Sequence, residues 1–589
     1  MALSSPTDTS ERKLKRRKLN SNDRQEKLKV DRMKQEFTAM TTVIFNSITS
    51  KKQGDDTKYN ELVQQIKNHA DQKTLSAKKV RLWVLAFSRA TTMLDVSCSG
   101  LVSFVLKLNW TEYDNNLVVT FVMFLANLIS SHSDHMPAVL NMLVKNFVFR
   151  VDKYGSVPKN LENIHGRVHY ALKNIFPMVP SGSDELFEIL SREFPHKSEP
   201  LTAQVTYLKN LLQLLQYIPS LQAQVLELIF ERIIELDTEV QGKMHEIEAL
   251  EDSSYKYDLN LHSDVGSATS SQRSRGRSHM STSSQSSYNG DFDYNSDDND
   301  SDSVEDATPC IVALDVGELI EKLDCMIKLV FDFLKWCFDN SGYDQREDLF
   351  DILMNIFEEN ILFTFKSRYT QFLMFWYISL DKSYARSFLA LLLHKALADK
   401  ESEIIREAAS QYVASFVGRA KYLESDDVRL CVLALLHWAG RYVDCYESYL
   451  KTPDPLKHKI FYTIVQSLMY IFCFRWKDLR EVTDGIPRWC HEIMCLQKVI
   501  KSKFKPLQVC PTNIVQMFIA ISEALQFMNC KRAIGSTRYE DTKKKDILNM
   551  EDYFPFDPFR LKTSQSYIDS IYHDWEGIPR KDQTSKDND

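Results

Sequence analysis

From Ser383 to Tyr446 the chain sets out a pattern of apolar and polar positions that recurs on both sides of it. Leu389, Leu392 and Leu393 open an apolar face, and Asp399-Lys400-Glu401 makes a polar turn. Ile404, Ile405, Ala408, Ala409, Tyr412, Val413, Phe416 and Val417 then place an apolar pair every four residues. That is the spacing of a helix with one buried stripe. Arg406 and Glu407 are expected on its opposite, polar side. Glu424-Ser425-Asp426 reads as a helix start, and Leu430, Val432, Leu433, Leu435, Leu436 and Trp438 follow on a third helix. No such helix pair buries its own apolar face alone. The pattern therefore predicts an all-α fold, a HEAT-repeat-like helical solenoid.

The same periodicity starts near Asp31 or Lys34 and returns over 56–68, 74–91, 116–129, 137–147, 165–176, 185–194, 202–217 and 221–236. Ser181-Gly182-Ser183-Asp184 is an expected N-cap cluster. In the second half it covers 316–336, 349–363, 370–379, 460–474, 489–499 and 511–527. No alternation of strand type runs beyond about five residues, so little β structure is expected. Composition divides the chain further. Residues 1–33 form a basic tail, 34–250 and 309–549 the two halves of the solenoid, and 251–308 a serine-rich, acidic insertion. Sixteen serines lie between Ser253 and Ser303, and Asp291 to Asp306 holds eight acidic residues and no basic one. Such a stretch gathers too little apolar area to offset chain entropy and is expected to be disordered. It reads as an extrusion from a continuous solenoid; two domains joined by a linker is the alternative. Residues 550–578, with two prolines among the aromatics of Tyr553-Phe554-Pro555-Phe556-Asp557-Pro558-Phe559, cannot form a regular helix. They are either pinned by aromatic burial or exposed as a peptide ligand. A polar tail, 579–589, follows.

Charge narrows the function. The chain of 589 residues has a net charge of −7, so direct nucleic-acid binding is expected to be weak or absent. No apolar run is long enough to span a membrane. Six of the seven positions Arg12, Lys13, Leu14, Lys15, Arg16, Arg17 and Lys18 are basic, a nuclear-import candidate. Ser296, Ser301 and Ser303 lie beside or before acidic residues, where an acidophilic kinase acts. Eleven scattered cysteines read as reduced thiols, and Cys490-His491 with Cys495, or His132 with His135, lack a second ligand pair for a metal. No nucleophile with a base, carboxylate pair or phosphate-binding glycine loop stands out, so neither catalysis nor a cofactor is expected.

The C-terminal aromatic segment, with Ser566-Tyr567-Ile568-Asp569-Ser570-Ile571-Tyr572 and Trp575 behind it, closely resembles the end of the RNA polymerase I-specific transcription initiation factor family. Weaker likeness appears at Leu85-Ala86-Phe87, Leu106 to Trp110, Phe124 to Leu128, and Ile404 through Lys421. Asn109 stands where many relatives have proline. The resemblance implies a non-catalytic HEAT-repeat factor of the nucleus and nucleolus. It would bind RNA polymerase I near its stalk and bridge it to the promoter-bound core or selectivity factor. It also implies a docking patch of serines weakened by kinases, here Ser97, Ser99, Ser103, Ser130, Ser131 and Ser133. Lys145, Arg150 and Lys153 are candidates for a basic side of that face, and a homodimer of the free protein is possible by the same resemblance. A helical transport receptor or general scaffold is the competing function, and a nucleic-acid-binding regulator using the two basic stretches a third. The acidic insertion reads as a kinase-accessible tether or as a mask over a basic surface.

Overall fold

The computed structural model describes residues 31–72, 77–149, 160–178, 182–261, 307–364, 367–483, 486–530 and 553–579. They form an all-α helical repeat with one short hairpin, and they fall into two units. The first holds the described residues up to 232 together with 332–340; the second holds those of 233–331 and 341–589. The calls on 1–30 and on 262–306, including Arg12 to Lys18, Ser296, Ser301 and Ser303, lie outside the described residues.

In the first unit α1 covers 31–52, followed by α2 (Thr57–Gln72), α3 (Ala77–Arg89), α4 (Ser99–Leu106), α5 (Asn115–Ser131), α6 (Met136–Val144), α7 (Leu161–Ile175), α8 (Ser183–Arg192) and α9 (Leu201–Leu215). The helices alternate between two layers: α2, α4, α6 and α8 neighbour one another in turn, as do α3, α5 and α7. Each helix thus buries its stripe against the other layer, as a stacked repeat requires. Phe87 of α3 meets Phe124 of α5 at 6.4 Å, and Trp110 stacks on Phe121 at 5.3 Å between ring centroids. Asn109 lies at the head of the short 3-10 turn Trp110–Glu112, and Trp110 is buried.

One polar network sits inside this unit. Asn210 donates through Nδ2 to the carbonyls of Phe147 (3.0 Å) and Thr206 (2.9 Å), so its Oδ1 accepts from His169 Nε2 at 3.0 Å. His169 Nδ1 then accepts from the Tyr217 hydroxyl at 2.7 Å. Burial pushes the His169 pKa down to about 4. The unfolded chain takes up this proton near pH 6.5 and the folded protein only near 4. Acid therefore favours unfolding between those values, and the full stability is present above them. Across that window, urea titrations should show about 3 kcal/mol more stability lost in the parent than in His169→Phe.

The second unit takes in α10 (Gln222–Leu261) from Ile233 and α11 (Ala307–Asn340) up to Phe331. It continues with α12 (Tyr343–Ile356), α13 (Gln371–Ile378), α14 (Lys382–Leu397), α15 (Glu403–Arg419), α16 (Ser425–Tyr446), α17 (Lys459–Arg475), α18 (His491–Ile500), α19 (Pro506–Val509) and α20 (Thr512–Ala524). An antiparallel hairpin, β1 (Arg480–Thr483) and β2 (Ile486–Trp489), precedes α18. Here too helices two apart are neighbours: α14 with α16 and α16 with α18, α15 with α17. Every residue of α13 is buried, as are Ala409 to Arg419 of α15 and Ile460 to Arg475 of α17. A helix buried on all sides needs a second cover.

Residues 553–579 are that cover. Phe556 packs on Phe372 (5.5 Å), Phe375 (4.9 Å), Tyr412 (5.7 Å) and Phe416 (6.0 Å), and Phe554 stacks on Tyr470 at 4.0 Å. Tyr567 stacks on Phe331 at 4.7 Å, and Trp575 meets Phe474 at 5.2 Å. Backbone bonds tie the strap to the end of α15: Lys421 N–H donates to Ile571 O (3.0 Å) and His573 N–H to Arg419 O (2.7 Å). Arg419 lies with its guanidinium carbon 4.2 Å from the Phe474 ring centre, and its Nε donates to the Tyr470 hydroxyl at 2.9 Å. The aromatic segment is pinned, and on α11, α13, α15 and α17 together. At Gly418 a methyl group would come within 2.6 Å of Tyr470 Cε1. That ring is itself sandwiched against Phe554 and has nowhere to retreat.

Several local expectations differ from the structure. Ile404 is 78 % exposed and Leu430 63 %, whereas Arg406, expected on the solvent side, is 9 % exposed. Near a helix's first turn, neighbouring loops decide which flank is covered, and the Arg406 Nε donates to Ala396 O there. Trp489 ends β2 and packs on Phe472 and Phe527, so the helix begins at His491. Gly182, without a side-chain bond, occupies the N-cap of α8. The helices α10 and α11 run to Leu261 and from Ala307, into both ends of the stretch expected to lack structure. Extending a helix already nucleated costs little per residue.

Candidate functional site

The serines singled out in the sequence lie in the first unit, and all six are exposed. Ser97 belongs to a short turn, Val96–Cys98, that leads into α4; Ser99 opens that helix, and Ser103 lies one turn on. Asp95 caps the turn by accepting from the Ser97 N–H at 3.1 Å, and the Ser97 hydroxyl donates to the same carboxylate oxygen. Lys52 of α1 pairs with Asp95 at 2.8 Å, and Lys51 donates to the Ser97 carbonyl at 2.6 Å. The Lys52 contact, with the Ser97 bonds, holds the Asp95 carboxyl at about 2, well below the usual range. Ser130 and Ser131 end α5, and Ser133 begins the turn Ser133–His135.

His135 joins the two groups. It is buried, and its Nε2 lies 2.8 Å from the carbonyl of Leu94, the residue before Asp95. The turn that carries Ser133 is therefore fastened to the turn that carries Ser97. Ser103 and Lys145 line one cleft of about 470 Å³ with Lys107, Asn141 and Met142. Lys145 is exposed, whereas Arg150 and Lys153 lie outside the described residues.

Sequence reading missed the apolar part of this face. Val119 (41 % exposed), Met123 (61 %), Met178 (57 %) and Val96 (58 %) stand in solvent. The Ser130 hydroxyl lies 3.7 Å from the Met178 sulfur. A signal was present: α5 is apolar on nearly every side, yet packs only part of its circumference. A helix of that kind is normally buried all round, and an exposed apolar strip rimmed by hydroxyls marks a docking surface. The Cys490, His491 and Cys495 trio and the His132–His135 pair gain no further ligand, and no metal-binding cluster occurs among the described residues. Likewise no described helix is long and apolar enough to cross a membrane.

Exposed hydroxyls and thioethers on a two-layered helical repeat define a protein-interaction factor. Comparison with known proteins gives the family. Residues 34–580 match the RNA polymerase I specific transcription initiation factor RRN3, and the chain belongs to this family, which is non-enzymatic. It is 29 % identical over 550 residues to the RNA polymerase I-specific transcription initiation factor rrn3 of Schizosaccharomyces pombe, covering 92 % of this chain and 88 % of that one. It is 26 % identical over 535 residues to the RRN3 factor of Mus musculus, covering 87 % and 78 %. The fold matches a crystal structure of RNA polymerase I transcription initiation factor Rrn3 with a TM-score of 0.68 at 21 % identity, over 93 % of this chain and 99 % of the other.

Proposed function

We propose that this chain initiates ribosomal RNA gene transcription in the nucleolus by docking RNA polymerase I through the serine-bearing face of its first unit. The same molecule would meet the promoter-bound core or selectivity factor, so that it bridges enzyme and promoter. The observation that carries the reading is the hydrogen bond of His135 to Leu94, which gathers Ser97, Ser99 and Ser133 at one place on a family member's surface. Ser130 and Ser131 immediately precede that turn, Met178 lies beside Ser130, and Val119 and Met123 stand exposed further along α5.

Such a face suits an off switch. A neutral hydroxyl tolerates burial in an interface, whereas a phosphate adds about −1.5 to −2 charges and must be desolvated. Next to Asp95 a phosphate on Ser97 would also face an ionised carboxylate. The polymerase stalk is the expected receiving surface, and a homodimer of the free protein would cover the same residues until the polymerase displaces it.

The test is co-purification with RNA polymerase I at moderate salt. Ser130→Asp, Ser131→Asp and Ser133→Asp combined should reduce retention about tenfold or more, while circular dichroism stays that of the parent. Equal retention would remove the serine face from the reading. Failure of the parent to bind would favour the scaffold alternative.

A further inference from the structure

The second unit carries a cleft of about 410 Å³ where the turn before α15, the C-terminal part of α16 and the start of α17 meet. Its floor is aromatic. The Trp438 and Tyr442 rings stack at 5.0 Å, and Tyr446 follows at 4.6 Å from Tyr442. The Tyr442 hydroxyl shares a 2.8 Å hydrogen bond with His458 Nδ1, which fixes the shelf against the loop before α17.

The walls are basic. The guanidinium carbon of Arg406 lies 5.4 Å from the Trp438 ring centre. Arg406 is nine-tenths buried; its Nη1 lies 3.2 Å from Asp399, and its Nη2 has no hydrogen-bond partner. Asp399 itself is 88 % exposed, so solvent screens much of its compensation. Arg441 and Lys457 stand exposed at the rim, and neither forms an ion pair among the described residues. Lys459 is already taken by Glu407 at 2.6 Å. Against these cations the lining sets only Asp399 and Glu403. The cleft is thus a cationic site over an aromatic floor in a chain whose net charge is −7. Tyr449 (82 % exposed) and Leu456 (77 %) extend apolar surface along the adjoining loop.

We propose that this cleft binds an acidic segment of a partner protein, with Arg441 and Lys457 pairing its carboxylates and the Trp438–Tyr442–Tyr446 shelf taking an apolar side chain between them. Arg406 acts from the wall: its charge, held in a poorly hydrated place, raises the local potential without leaving its own bonds. The apolar shelf distinguishes such a peptide from a free anion. The acidic balance of the whole chain disfavours duplex DNA as the occupant. This site is independent of the serine face.

The probe is a fluorescein-labelled peptide, Glu-Asp-Phe-Asp-Glu-Leu-Asp-Glu, titrated with the full chain and followed by anisotropy. The parent should bind it with an affinity that falls with salt. Arg441→Glu combined with Lys457→Glu should weaken binding about tenfold or more, with an unchanged melting curve because both side chains are exposed and unpaired. Tyr446→Ala should weaken binding while preserving the salt dependence. The serine-to-aspartate protein should bind the peptide as the parent does, which separates this site from the docking face. Equal binding by the Arg441/Lys457 variant overturns the proposal. So does an absence of binding to the parent, or displacement of the peptide by duplex DNA as readily as by unlabelled peptide.

Discussion

Ending the chain before Tyr553 should lower the thermal transition of the second unit by on the order of 10 °C, and the truncated protein should bind a hydrophobic dye that the full chain excludes. Phe554, Phe556, Phe559, Leu561, Ile568 and Tyr572 are all buried. Each contributes roughly 1.5–3 kcal/mol by burial, offset in part by the ordering of the strap. The larger consequence is on the other side of the contact. Without the strap, Phe372, Phe375, Phe416 and Tyr470 lose the rings they pack on, and helices that carry apolar residues on every face would meet water. For a body of this size about 1 kcal/mol corresponds to 2–4 °C, so even a modest net loss is measurable. A truncated protein that melts with the parent and binds no dye would show that the strap adds nothing to the unit. The single change Gly418→Ala should act in the same direction, since its methyl group would press Tyr470 into Phe554.

Asp237→Ala is the second large effect. One oxygen of this fully buried carboxyl, Oδ2, accepts the backbone N–H groups of Arg368 (3.0 Å), Tyr369 (2.8 Å) and Thr370 (2.9 Å), and the Thr370 hydroxyl at 2.9 Å. These donors belong to the turn that leads into α13, which itself has no side-chain cap. Removing the acceptor strands them in the interior at about 1–3 kcal/mol apiece, so a loss of 4 kcal/mol or more in denaturant unfolding is expected, an estimate of about that order. Asp237→Asn should cost much less. Its carbonyl oxygen keeps an acceptor for part of these bonds, and burial pushes the Asp237 pKa up, so the neutral amide avoids part of a desolvation cost. The linkage has a definite sign: a raised carboxyl pKa favours the folded state more at mildly acid pH and less as pH rises through the folded value. Equal losses for the alanine and asparagine proteins would mean that an acceptor for this turn is not what Asp237 provides. Asp324 repeats the device on α11, accepting from the N–H groups of Thr563 (2.6 Å) and Ser564 (2.9 Å) in the strap.

Regular periodicity was enough to find the helices at α3, α5, α9, α14, α15 and α16, because each carries apolar residues at helical spacing. It misassigned faces where burial is set by something other than the opposite layer. Ile404 and Leu430 obey the spacing yet stand in solvent, while Arg406 breaks it and is buried over Trp438. The six serines were named through the family resemblance, and all six are exposed. Their common location was not legible, since it depends on one histidine, His135, reaching a carbonyl 41 residues earlier. Val119 and Met123 were missed although the all-round apolar character of α5 was visible. In the sequence they look like the rest of the α5 core.

The sequence by itself determined an all-α repeat, the absence of long strands, the irregular aromatic end and the family to which the chain belongs. Those properties are local or additive: a stripe every three or four residues, a proline that forbids a helix, a run of shared motifs. Tertiary structure alone decided that the aromatic end lies across α11, α13, α15 and α17, that Asp237 holds the turn before α13 from 131 residues away, and that the cations of α15, α16 and the loop before α17 share one cleft. Each of these joins groups far apart in the chain through directional bonds or ring packing. Periodicity records which side of a helix is apolar, and it holds no information on which distant residue will meet it.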